Sequence, residues 1–320
     1  MNHFKSGVPL RHINHRALSI PALLLMMLLT LALGACAEDV KVKKSVQTEQ
    51  TIFYVDAVNG DDANAGTSTA PLKTITQAFT LVPAGGTVYV APGTYDTTNG
   101  ETFPIDVPAG VELIGDEPNK GAGGTPTLIT GGGGYVTPAG TITVATATGD
   151  GATIAGFTIR GPGQYGVALL DPAGTVRNNT ITGSFAGMVI KRDGAGGHAI
   201  TGNAITGNAN YGMWIQPNQA APVLAEDNII TGQPTGLYME APVVDFGGGA
   251  ASSAGGNAIY CNTTNDLNGT LLAVTDTVDL ANNYWDHADL SGNDINNPNG
   301  ATLVTTGNLV VSALGLTACP

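Results

Sequence analysis

Trp214 and Tyr238 are the residues best suited by type and spacing to hold a sugar. Each stands third in a Gly-initiated segment, Gly212-Met-Trp-Ile-Gln and Gly236-Leu-Tyr-Met-Glu, with a polar side chain two places later. Two further segments, Gly166-Val-Ala-Leu-Leu and Gly187-Met-Val-Ile-Lys, align with them without gaps. In a β-strand the second and fourth positions share one face and the third and fifth share the other. Val167 and Leu169, Met188 and Ile190, Met213 and Ile215, and Leu237 and Met239 are uniformly apolar and should fill a core. The outward rows then read Ala168, Val189, Trp214, Tyr238 and Leu170, Lys191, Gln216, Glu240. Aromatic rings offer flat apolar faces to the C–H surfaces of sugars, and the flanking cation, amide and carboxylate offer partners for hydroxyls. The bland alternative is that a loop covers these rings and they only pack.

Lys191 and Arg192 also supply the basic group that a polysaccharide lyase needs to take the proton α to a uronate carboxylate. Asp171 and Asp193 fall at the turns beside them. No clustered aspartate tetrad accompanies them, and Gly197-His198-Ala199 is only a fragment of a Gly-His-Gly hydrolase motif. Asp56, Asp61, Asp62 and Asn64 lie in one Gly-containing loop and present the oxygen ligands that calcium takes, although the terminal Glu of a calcium loop is missing. A solvated turn is the competing reading of that loop. Trp285-Asp286-His287, with Asp289 and Asp294, is a second conceivable metal corner, set against a plain structural role. Phosphate loops, nucleophile elbows and zinc-ligand spacings are absent from the sequence.

The elements that must position these residues repeat. The four glycines are spaced by 21, 25 and 24 residues, and Asn179, Asn203, Asn228, Asn257 and Asn283 keep step at 24, 25, 29 and 26. A unit this short, β-branched and free of helical periodicity cannot close a core alone, whereas stacked units bury a continuous one. The expected fold is all-β: a single-stranded right-handed parallel β-helix. The asparagines belong at the tight bends, where Asn tolerates the left-handed conformation and bonds to its neighbours. Thr87-Val-Tyr-Val, Val111-Glu-Leu-Ile and Thr141-Ile-Thr-Val read as strands of earlier, less regular coils. An open solenoid end has to be covered. Thr74 and Gln77 form a capping-box pattern, and Ile75, Ala78, Phe79 and Val82 share one helical face, so this segment is the expected N-terminal cap helix.

The N-terminus reads as an export signal, with Lys5, Arg11 and Arg16 before an apolar run from Ala22 to Leu33. Leu33-Gly34-Ala35-Cys36 resembles the bacterial lipobox, which implies acylation of Cys36 and a membrane partner through that lipid. Residues 1–35 are then the signal peptide, 36–50 a lipidated tether and 51–320 the β-helix domain. Within that domain, 51–150 hold the cap and first coils, 151–290 the regular coils and 291–320 a tail. Removing the signal leaves 12 − 3 = 9 basic residues against 25 acidic ones, a net charge of −16. Such acidity sets nucleic acid and anionic lipid aside as partners. Of three cysteines, Cys261 and Cys319 remain after Cys36, and outside the cytoplasm they are expected to pair.

Tyr54-Val-Asp, Gly60-Asp-Asp, Gly66-Thr-Ser-Thr-Ala-Pro-Leu-Lys-Thr-Ile and Val88-Tyr-Val-Ala-Pro-Gly-Thr-Tyr resemble the cap and first coil of many secreted β-helix proteins, some pectate lyases among them. The run from Gly100-Glu-Thr-Phe-Pro to Gly110-Val-Glu-Leu-Ile-Gly-Asp, with Gly131 to Gly134, is similar to the bacterial family called domain of unknown function 1565. The resemblance covers roughly residues 52–245 and implies a pectin-lyase-like fold without implying an activity. Three functions stay open: a surface or outer-membrane lipoprotein that binds polysaccharide on one face, a lyase or hydrolase of acidic glycans, and a structural or adhesive surface protein. No cofactor is required by any of them, and calcium is the one ion the acidic loops would suit.

Overall fold

The computed structural model describes residues 50–137, 140–170, 173–191, 196–217, 221–287, 294–317 and 319. The chain winds into a parallel β-solenoid in which successive coils lay their strands onto three long sheets. The first sheet runs from Ile52–Val55 to Val244–Asp245, the second from Gly93–Tyr95 to Leu309–Val310, and the third from Ile105–Val107 to Ile295–Asn296. Every pairing along these sheets is parallel except that of one hairpin, Gly133–Thr137 against Gly140–Thr148.

Register follows from apolar columns. On the first sheet Phe53, Val88, Leu113, Ile154, Val176, Ile200 and Ala225 stack in line, all buried. The second sheet contributes Ile129, Ile159, Ile181, Ile205, Ile230 and Ile259. On the third, Val167, Met188, Met213, Leu237 and Leu267 form one inward column. A one-residue slip in any strand would turn its apolar set outward, so the columns lock one another. In four strands of the third sheet the second residue, Gly166, Gly187, Gly212 or Gly236, is a glycine required by close approach: a Cβ on Gly212 would lie 2.7 Å from the carbonyl oxygen of Gly236.

A second interior feature is a ladder of amides. Asn179, Asn203, Asn228 and Asn257 each receive, on Oδ1, the backbone N–H of the ladder residue one coil earlier or its equivalent, Phe157 for the first, at 3.0–3.1 Å. Asn283 and Asn308 continue the series at 2.9 and 2.8 Å. The left-handed conformation is adopted not by these asparagines but by the residue before each: Asn178, Gly202, Asp227, Gly256, Asn282 and Gly307. The bend is made by the first residue of each pair, which leaves the second free to turn its amide inward and replace hydrogen bonds that the bending backbone cannot make.

The N-terminal opening is covered by a short helix, Ile75–Leu81, with Ile75 and Ala78 buried and the Thr74 side chain accepting from Gln77 N. Glu101 arrives from 26 residues away in sequence to accept from Ile75 N at 2.7 Å and Thr76 N at 2.9 Å. A carboxylate at a helix start satisfies amides that have no partner within the helix.

Candidate functional site

The outward row of the third sheet has the register its spacing implies. Ala168 pairs with Val189, Val189 with Trp214, and Trp214 with Tyr238. Its exposure differs from expectation along the row. Ala168 and Val189 are fully buried, because with Val144 and Ala147 they form a second small apolar cluster that Tyr135 and Ile142 of the hairpin close over. The hairpin strands pair Tyr135 with Ile142 and depart from the solenoid at the Gly131 to Gly134 run. Gly133 is needed there, since a Cβ would meet the Phe103 carbonyl oxygen at 2.0 Å.

Beyond the hairpin the face carries rings. Trp214 and Tyr238 sit 6.0 Å apart and both are half-buried. Three rings that the alternation argument did not single out join them. Tyr211 stacks on Tyr238 at 4.8 Å and 18° and lies 5.8 Å from Trp214. Tyr165 stands 5.9 Å from Trp214, and Phe185 bridges Tyr165 and Tyr211 at 6.0 and 5.9 Å. All five are half-buried. The signal that could have revealed two of them is the residue just before the strand glycine, which is Tyr165 in one coil and Tyr211 in another, whereas Phe185 stands two places before Gly187. Each of these tyrosines is the first residue of its strand, where the chain leaves the turn, so the alternation of the strand interior does not fix its side. Beside this strip, Thr143, Gly163, Gln164, Tyr165 and Phe185 line an open pocket of about 270 Å³.

The polar neighbours divide. Trp214 Nε1 donates to Glu240 Oε1 at 2.8 Å, which fixes the indole plane. Burial and the neighbouring Glu240 and Tyr211 raise the Tyr238 phenol above its ordinary range, so it is a neutral donor at physiological pH. Lys191 and Gln216 were expected to face outward beside the rings, yet they are only 7% and 9% exposed. Buried long polar side chains are engaged by the protein rather than held open to a ligand, and neither is without a partner. Arg192, Asp171 and Asp193 lie outside the described residues, as do Asp289 and Cys36.

In the loop of Asp56, Asp61 and Asp62 the carboxylates accept from nearby donors. Asp56 Oδ1 accepts from Val58 N and Asn59 N, and Asp61 Oδ1 from Ala63 N. Asp62 accepts from Lys73 N, Thr74 N and Thr74 Oγ1, each at 2.9 Å. Short side chains in a tight turn reach their own amides, so these carboxylates brace the loop and the approach to the cap helix. At the other end of the solenoid Cys261 and Cys319 form a disulfide. Beside it His287 Nε2 lies 3.3 Å from Asp294 Oδ2.

A family model described as "Protein of unknown function (DUF1565)" matches residues 58–291, from the cap loop to the last full coils. The chain belongs to the DUF1565 family. No curated protein matches this DUF1565 chain. Among solved structures it is similar to pectate lyase Pel9A, with a TM-score of 0.48 and 15% identity, covering 80% of this chain and 78% of that one. It is also similar to a rhamnogalacturonan lyase, with a TM-score of 0.44 and 13% identity over 84% and 89% of the two chains. A GH136 lacto-N-biosidase from Eubacterium ramulus follows, with a TM-score of 0.34 and 12% identity over 81% and 67%.

Proposed function

We propose that this DUF1565 protein is a lipid-anchored envelope protein that binds polysaccharide along the outer face of its third sheet. The observation that carries the reading is the five-ring strip of Tyr165, Phe185, Tyr211, Trp214 and Tyr238. The strip crosses three coil-to-coil steps, about 14 Å at roughly 4.8 Å per step, which suits an extended chain of a few sugar rings. Half-buried rings held by contacts with one another lose little entropy on binding, so the strip is preorganised for a ligand. Glu240 and the Tyr238 hydroxyl lie at the strip's edge to meet sugar hydroxyls. The address rests on the lipobox-like segment before Cys36, and Cys36→Ala should release the protein from membranes into the soluble fraction.

The test is affinity electrophoresis of the purified protein in neutral and uronate-containing polysaccharides. Tyr238→Ala should weaken binding at least tenfold, the equivalent of about 1.4 kcal/mol. Unchanged mobility of that variant in a polysaccharide that retards the wild type would remove this face as the binding site. The competing lyase reading places Lys191 or Arg192 as the base; the burial of Lys191 weighs against its part in that role, because a general base must reach the proton it takes, and Arg192 lies outside the described residues. Appearance of unsaturated uronate absorbance that is lost in Lys191→Ala would reverse this ordering.

A further inference from the structure

The third sheet's glycine column ends in a carboxylate. Thr235 pairs with Asn265 and Leu237 with Leu267, which sets Asp266 across from Gly236. A parallel change happens at the neighbouring bend. There Asn208 Oδ1 accepts from Ser184 N and Asn262 Oδ1 from Gln233 N, but in the next coil the acceptor for Cys261 N is Asp286 Oδ2, at 2.9 Å. One coil beyond Asp266, the Asp294 carbonyl accepts from Asp266 N at 2.7 Å, which brings its side chain to the same corner. The carboxylates of Asp266, Asp286 and Asp294 thus converge from two successive coils of the solenoid, with oxygens within 4.8 Å of one another.

Asp266 is 1% exposed. Its Oδ1 accepts from Asn262 Nδ2 at 2.7 Å and Asn262 N at 3.3 Å, while its Oδ2 is buried and meets no hydrogen-bond donor. An enclosed carboxylate oxygen without a partner is costly, and two further carboxylates beside it add repulsion. The sequence holds no Lys or Arg after Arg192, so His287 is the only basic side chain near this corner in the last third of the chain to offset them. Burial, then Asp286 and Asp294, push the Asp266 carboxyl up to about 8. In front lies an open cavity of about 470 Å³ that Asp286 and Asp294 help to line.

We propose that Asp266, Asp286 and Asp294 form a binding site for a hard divalent cation, calcium in particular. Three carboxylates supply oxygen ligands only, and the open cavity leaves room for the waters that complete a coordination shell of six to eight. The nearby sulfurs are tied up in the Cys261–Cys319 disulfide and present no thiolate, which disfavours soft metals. The competing explanation is a proton shared among the three carboxyls with no metal at all.

The two are separated by titrating the whole protein, stripped with chelator and without glycan, with calcium chloride in a calorimeter and in thermal melts. The expected result is one site with Kd on the order of 10⁻⁴ to 10⁻³ M and a Tm that rises with calcium. Asp266→Asn keeps the acceptor for Asn262 and removes the charge, so it should fold yet lose at least tenfold in calcium affinity. Should that variant fail to fold, Asp294→Asn at the rim must show the same loss. Absence of calcium heat in the wild type, or equal affinity in a folded variant, would overturn the site in favour of the shared proton. Zinc binding that needs His287 and survives Asp266→Asn would overturn the hard-cation assignment. None of these outcomes depends on whether the ring strip binds a polysaccharide.

Discussion

Replacing Asn228 by alanine tests the interior ladder that holds the ring-bearing coils in register. The Asn228 side chain is fully buried and makes four hydrogen bonds. Its Oδ1 accepts from Asn203 N and Asn203 Nδ2, both at 3.0 Å. Its Nδ2 donates to Ile200 O at 2.8 Å and Asn257 Oδ1 at 2.9 Å. At about 1 kcal/mol net for each bond, the loss is about 4 kcal/mol, with the stranded Asn203 N–H adding to it unless water enters. Asn228→Asp keeps the shape and the acceptor but removes both donors and buries a charge, so it should be at least as damaging at neutral pH. Asn282→Gly is the control, because residue 282 has φ 58° and glycine adopts that conformation without strain. It should change stability by less than about 1 kcal/mol. Urea unfolding followed by the fluorescence of Trp214 and Trp285 reads all three variants. A loss below about 1 kcal/mol for Asn228→Ala would show that the ladder is dispensable and that the apolar columns alone fix the coils.

Three further outcomes are expected. His198 is 1% exposed, and burial lowers its imidazole to about 4; its Nδ1 accepts from Gly174 N, a bond that only the neutral ring can make. Its folded-state value therefore lies below its unfolded one, so the stability it contributes is whole above pH ~6.5 and drains away as pH falls toward 4, by at most about 3 kcal/mol; a His198→Gln protein with the same acid slope in urea midpoints would disprove this. Reducing the Cys261–Cys319 disulfide, which spans 58 residues, should cost up to about 4 kcal/mol by the chain-entropy relation. Unchanged melting in a strong reductant, with both thiols shown to be alkylated, would contradict it. Trp214→Phe removes the N–H that reaches Glu240 but keeps a ring, so it should cost about 1–2 kcal/mol while polysaccharide binding persists; lost binding with unchanged stability would mean the indole N–H, not the strip, is what the ligand reads.

Much of the fold is legible in the sequence because a solenoid writes its period into the chain. The alignment of Gly166, Gly187, Gly212 and Gly236 gives the register of the third sheet, since inward and outward sets alternate and only one setting buries Met213 and Leu237 together. The asparagine spacing likewise marks the bends, although it does not reveal that Asn178 and Asp227, rather than the residues after them, take the left-handed turn. The cap helix follows from its apolar face, yet its partner Glu101 does not, because a contact across 26 residues leaves no local pattern.

What the tertiary structure alone decided is which outward positions stay outward. Alternation places Ala168, Val189, Lys191 and Gln216 on the outer face, but burial there is set by what folds over the face, and the hairpin over Ala168 and Val189 comes from an irregular insertion between coils. Tyr165 and Tyr211 reach Trp214, and Phe185 reaches both tyrosines, only because stacked coils bring their strand starts together. The acidic corner of Asp266, Asp286 and Asp294 has the same origin. Its members are separated along the chain by most of a coil or less and show no motif, but stacking turns at a fixed rise carries residues of successive coils to one place. Period and polarity are properties of the sequence, whereas proximity between coils and cover from outside are properties of the wound chain.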